Sequence, residues 1–182
     1  KRRFADLSDM QAWFEQNIKS VCKGVPGYVK RLEAAFSQAH HDGVAVLAMS
    51  FGKGEIDFLG GMESFLSAVG QLQSAFAPKT LFLPELAIGR EQKEEEVLAW
   101  LEELLHYGWF KSIDLCNDEF AQPIRNFTRV YQMAERHKLR LKAHVGEFGS
   151  ADDVMEAVET LHLHEVHHGI AAAESAQIMA WL

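Results

Sequence analysis

The sequence predicts an α/β fold built from parallel βα repeats. Three observations lead there. Five short strand-like runs alternate with longer amphipathic stretches between residues 44 and 182. Hydrophobic residues make up 48% and charged residues 24% of 182 positions, a globular composition with enough length for one domain and a sizeable core. Residues able to carry chemistry gather at the ends of the later runs, where parallel βα folds place their sites.

Two helices are predicted to open the chain, over 7–20 and 27–41. Val29, Leu32, Ala35, Phe36 and Ala39 recur at helical spacing in the second, and Gly43 stands just past its end as a cap. The strand runs are 44–49, 80–83, 110–115, 139–144 and 163–167. Helical patterns lie near 61–76, 92–107, 121–138, 150–161 and 172–182. In 92–107, Val97, Leu98, Leu101, Leu104 and Leu105 form one face, and the early glutamates Glu94, Glu95 and Glu96 suit the positive end of the helix dipole. Strand–helix alternation at this spacing means a parallel sheet with right-handed crossovers. Five such units fit either a doubly wound five-stranded sheet or part of a (β/α)8 TIM-type barrel, and periodicity does not separate the two. No linker or repeat divides residues 1–182, so a single domain is expected.

A net charge of -8 argues against a general nucleic-acid surface. No apolar run is long enough for a membrane span, which takes about 18 residues. Cys22 and Cys116 form neither a CxxC pair nor a disulfide framework, which suits a reducing, cytoplasmic setting. The basic start, Lys1 to Asp6, has no apolar region behind it, so no signal peptide is read. The chain lacks an initial Met and stops inside a helical pattern at Trp181-Leu182, so a segment of a longer protein is expected.

The fourth run ends in His144-Val145-Gly146-Glu147-Phe148-Gly149-Ser150. An imidazole closes the strand, glycine lets the backbone turn, and a carboxylate follows; His is a common metal ligand and Glu a natural proton carrier. Ser150 is placed to cap the next helix, with Asp153 at the third position. The fifth run ends in Val166-His167-His168-Gly169; strand alternation predicts that only one of these two histidines shares a face with His144. His162 and His164 read as surface groups. The third run ends in Asp114-Leu115-Cys116-Asn117-Asp118-Glu119. Asp114 suits substrate binding, the holding of an imidazole in one tautomer, or a plain acid cluster at a helix start. Gly52-Lys53-Gly54 lacks the spacing and ending of a phosphate loop.

Three blocks resemble the adenosine deaminase family of the amidohydrolase superfamily. Ser112 to Glu119 looks like its G-I-D-L-x-G-D-E strand end, His144 to Ser150 like its H-A-G-E-x-G-S block, and Val166 to Ile170 like its L-G-H-G-Y block. The resemblance implies a zinc-dependent hydrolytic deamination of a purine nucleoside, of the adenosine-to-inosine type. It implies that the five runs are barrel strands two to six. His144 then matches a zinc ligand, Glu147 the acid that protonates the purine ring nitrogen, and His168 the histidine that orients and deprotonates the attacking water. Asp114 matches an acidic residue supporting the metal, while Asn117 and Gly146 fall beside the substrate. Asn117, Val145 and His167 depart from the family's glycine, alanine and glycine. The family's H-x-H pair and its late aspartate have no match here, so the remaining zinc ligands are expected outside these residues, and the chain alone is expected to be inactive. The alternative is a deaminase-like module without catalysis that serves binding or assembly.

Overall fold

The computed structural model describes residues 3, 4 and 7–182; the basic start read at Lys1 to Asp6 lies mostly outside them. The chain divides into two compact units, Lys1–Leu47 with Gly54–Phe82, and Ala48–Lys53 with Leu83–Leu182.

In the first unit, α1 (Leu7–Phe14) runs on into a short π-helical stretch, Glu15–Lys19, and α2 spans Gly24–His41. The α2 residues Tyr28, Leu32, Phe36 and Ala39 are buried and sit at helical spacing. The helix packs against α4 (Met62–Phe76), whose Phe65 and Val69 are buried. The predicted cap at Gly43 is present: its φ is 69°, its N–H donates to His40 at 3.1 Å, and the next N–H, of Val44, donates to Ala39 at 2.9 Å. This pair of bonds is the Schellman arrangement that satisfies the last helical carbonyls.

The second unit carries the sheet. Its strands are β1 (Val46–Gly52), β2 (Leu81–Gly89), β3 (Ser112–Cys116), β4 (Arg140–Val145) and β5 (Glu165–His168), hydrogen-bonded in the order β1-β2-β3-β4-β5. All five are parallel. A doubly wound sheet reverses its strand order at a switch point. This order never reverses, so the chain winds in one direction, as consecutive units of a (β/α)8 barrel do.

The two faces of the sheet differ in chemistry, because adjacent residues of a strand point oppositely. Leu86, Ile88, Ile113, Leu115, Leu141, Ala143 and Val145 are fully buried on one face. Burial at the same level recurs in Val97 and Leu101 of α5 (Glu94–His106), Val130 and Ala134 of α6 (Thr128–Arg136), and Val154 and Ala157 of α7 (Ala151–Leu161). Glu85, Ser112, Asp114, Lys142, His144, Glu165 and His167 occupy the other face. A sheet face that buries Glu85, Asp114 and Lys142 is the interior side of a barrel, where polar groups can satisfy one another.

Several local expectations needed revision. β2 reaches Gly89 instead of stopping at Leu83. Pro84 lies within the strand, and the β2–β3 ladder starts at Glu85↔Ser112, so its missing N–H interrupts no rung. In keeping with the rejection of a phosphate loop at Gly52-Lys53-Gly54, Lys53 opens the short α3 (Lys53–Phe58). β5 begins at Glu165, not Leu163, because the His164 ring Nδ1 accepts the Leu141 N–H at 2.9 Å, one step before the ladder. The last helix is split into a 3-10 turn, Ile170–Glu174, and α8, Ala176–Trp181.

Candidate active site

The polar face of the sheet meets the three glycine-punctuated strand ends at their carboxyl side. Asp114, on β3, is wholly buried. Its carboxylate lies 3.0 Å from His144 Nδ1 at either oxygen, with the hydrogen bond to Oδ1. A carboxylate only accepts, so the His144 Nδ1 carries the hydrogen, and in the neutral ring Nε2 keeps its lone pair. Burial lowers the His144 pKa, but the Asp114 hydrogen bond and charge, with the Glu147 and Glu85 charges, outweigh it and hold it above the usual imidazole value.

After β4 the chain turns at Gly146, whose φ is 73°. A side chain has no room there: an added Cβ would lie 2.5 Å from Val154 Cγ2 and 3.4 Å from the Gly169 Cα. The turn is held by Glu119, which is almost fully buried. Its carboxylate accepts the N–H groups of Gly146 at 2.8 Å, Glu147 at 2.8 Å and Phe148 at 3.1 Å. The Gly146 carbonyl accepts from Ala171 at 2.9 Å, so both polar groups of this glycine are engaged within the fold.

This anchored turn brings the Glu147 carboxylate to 3.4 Å from His168 Nε2. Strand alternation admits only one of His167 and His168 beside His144, and the structure brings both. His167 follows the register, opposite His144, with ring centroids 4.6 Å apart and planes 15° off parallel. His168 leaves the strand conformation at φ 64°, which swings its ring round to 5.0 Å from His144. A left-handed residue breaks the two-residue period of a strand. Asn117, at φ 74°, is a residue type that tolerates this backbone region; its Nδ2 donates to Glu91 at 3.1 Å.

Beneath this layer lies a charged network. Lys142 Nζ contacts Glu85 at 2.5 Å and Glu165 at 2.9 Å. Both Ser112, at 2.8 Å, and Ser50, at 3.2 Å, donate to Glu85, while Arg140 pairs with Glu165 at 2.7 Å. The sequence reading missed Glu85, hidden behind Pro84, and Glu119, which it read as one of an acidic cluster. His162 and His164 stand apart from the site: His162 ends α7 in a left-handed conformation, and His164 bonds the Leu141 amide.

Among the described residues no group of three His, Cys, Asp or Glu side chains could hold a metal ion. His144, with its free Nε2, is fitted to supply one ligand, and Asp114 fixes the tautomer that this requires. No helix among the described residues is long and apolar enough to cross a membrane.

The adenosine deaminase family model matches residues 28–182. A putative adenosine/adenine deaminase of Treponema pallidum is 29% identical over the whole chain, which spans 61% of that protein. The adenine deaminase of Arthrobacter aurescens superposes with a TM-score of 0.82 at 25% identity, over 98% of this chain and 56% of that one. An amidohydrolase from Burkholderia ambifaria, solved with bound zinc, shares the fold at a TM-score of 0.74 and 21% identity, over 85% of this chain and 44% of that one. With the winding of the sheet and the three strand-end blocks, the match over residues 28–182 places the chain in the adenosine deaminase family.

Proposed function

We propose that the whole protein is a zinc-dependent aminohydrolase that deaminates a purine nucleoside such as adenosine, with adenine the nearest other substrate. In this reading residues 1–182 form one incomplete barrel domain, in a cytoplasmic protein. The observation that supports it is the meeting of His144, Asp114, Glu147 and His168 at adjoining strand ends. The names of the relatives favour an amino-purine, and the amidohydrolase of the same fold carries zinc.

His144 would bind zinc through Nε2, with Asp114 holding the ring from behind. When bound, zinc supplies a water acidic enough to furnish hydroxide near neutral pH. His168 would orient the attacking water and take its proton. Glu147 gives a proton to the ring nitrogen next to the carbon under attack, which makes that carbon electrophilic. Water adds, ammonia leaves, and the amine becomes a carbonyl. Their 3.4 Å separation lets Glu147 and His168 exchange the protons that this requires. Asn117 and Gly146 would border the base, with the N–H and C=O of Gly146 already bonded within the fold.

The test is Glu147→Gln in the full-length protein, with zinc content and turnover of adenosine and adenine measured together. Turnover should fall by roughly 100-fold or more while zinc is retained. Undiminished turnover would remove Glu147 from the chemistry. A folded wild type that turns over neither purine would favour the binding-module alternative.

A further inference from the structure

We propose that His167 is a positioning residue whose ring, stacked on His144, holds that imidazole in line with Asp114. The inference rests on reading His144 as a metal ligand. Register sets His167 directly across from His144 on the same face of adjacent strands. The rings lie 4.6 Å apart and 15° from parallel, an overlap that leaves little freedom to tilt. His168 stands on His144 as well, at 5.0 Å and 59°. The Asp114 hydrogen bond fixes which edge of the His144 ring faces the carboxylate. It does not by itself stop the ring rocking about that bond, and the stack does.

What holds His167 is the face of its ring, not its nitrogen. Its Nε2 is buried without a hydrogen-bond partner, 4.0 Å from Asp114 Oδ1, beyond hydrogen-bond reach. The Asp114 Oδ2 accepts no hydrogen bond and lies 3.0 Å from the same His144 Nδ1, so the carboxylate is turned toward His144. A phenyl ring at position 167 should therefore replace the imidazole, and a methyl group should not. A donor contributed by Nε2 would instead leave both variants equally loose, since neither side chain can donate.

The experiment compares wild type, His167→Ala and His167→Phe in the full-length protein. Zinc affinity is read by chelator competition, and solvent exchange of the His144 Nδ1 hydrogen by NMR of the metal-free protein. His144→Gln identifies the signal by its loss. His167→Ala should weaken zinc binding about 10-fold or more and speed the exchange by a similar factor, with His167→Phe within about threefold of wild type in both. Unchanged values in His167→Ala, or a His167→Phe as loose as His167→Ala, would overturn the proposal. A wild type that takes up no zinc would defeat the deaminase reading only, because the metal-free exchange still decides the role of His167.

Discussion

Glu119 binds three consecutive amides, of Gly146, Glu147 and Phe148. An ionised acceptor strengthens each of these bonds, and the three together fix the backbone from which Glu147 projects. Replacing one oxygen by NH2 in Glu119→Gln sets a donor against an amide donor. The expected loss is about 1–3 kcal/mol of stability, seen by urea unfolding, with turnover down at least about tenfold and zinc content unchanged. Equal turnover in the variant would make Glu119 a stability group alone. Little of this was legible in the sequence. The three amides lie 27–29 residues away, and only the winding of the sheet brings the ends of β3 and β4 side by side. The pairing of His144 with Asp114 spans 30 residues and was reached through the resemblance, since spacing left the role of Asp114 open.

Elements were more legible, because caps and periodicity are local. Ser150 starts α7 as its sequence predicts: its Oγ accepts the Asp153 N–H at 3.2 Å, and Asp153 Oδ2 accepts the Ser150 N–H at 2.7 Å. Those bonds from the Ser150 backbone and hydroxyl hold the Asp153 carboxyl below its ordinary value. A depressed carboxylate stabilises above its unfolded pKa, and that contribution is lost as pH falls through the folded value. Ser150→Ala should therefore lower stability by about 1 kcal/mol at neutral pH, less in acid, with zinc binding kept. Thermal melts at the two pH values check it. Where an element defied its local pattern, a distant partner was responsible. Pro84 is harmless because the ladder to β3 begins one residue later, and β5 is shortened because His164 bonds to the Leu141 amide. At His168 the two-residue period fails, since the strand ends there in a left-handed turn.

For the molecule as a whole, the Glu85–Lys142–Glu165 network is the main electrostatic commitment. Burial raises the Glu85 pKa, but the Lys142 and Ser112 hydrogen bonds bring it below its ordinary 4.5; Lys142 holds Glu165 down too. Burial lowers the Lys142 pKa, and the two glutamates more than reverse this, to above its ordinary 10.5. The carboxylates stabilise above pH 4.5, and that contribution fades as pH falls through their folded values. The ammonium stabilises below pH 10.5, and its share fades as pH rises through its folded value. Lys142→Met leaves Glu85 buried without a cation, which should cost about 3 kcal/mol at pH 7. The gap to wild type should narrow toward both pH extremes in urea titrations across the range, and a pH-independent gap would mean that the lysine stem, not its charge, matters.

By itself the sequence determined what local physics determines. It set the alternation of strands and helices, the caps at Gly43 and Ser150, the apolar faces of α2 and α5, and the three strand-end blocks that carry the family resemblance. Periods of two and 3.6 residues and the chemistry of caps act within a few positions, so one strand or helix at a time is readable. Only the tertiary structure decided the rest. The unreversed strand order chose a barrel winding over a doubly wound sheet, placed His167 against His144, and aimed Glu119 at the turn that bears Glu147. Each of these is a contact between residues far apart in the chain, set by which strands become neighbours, and no local period encodes that choice.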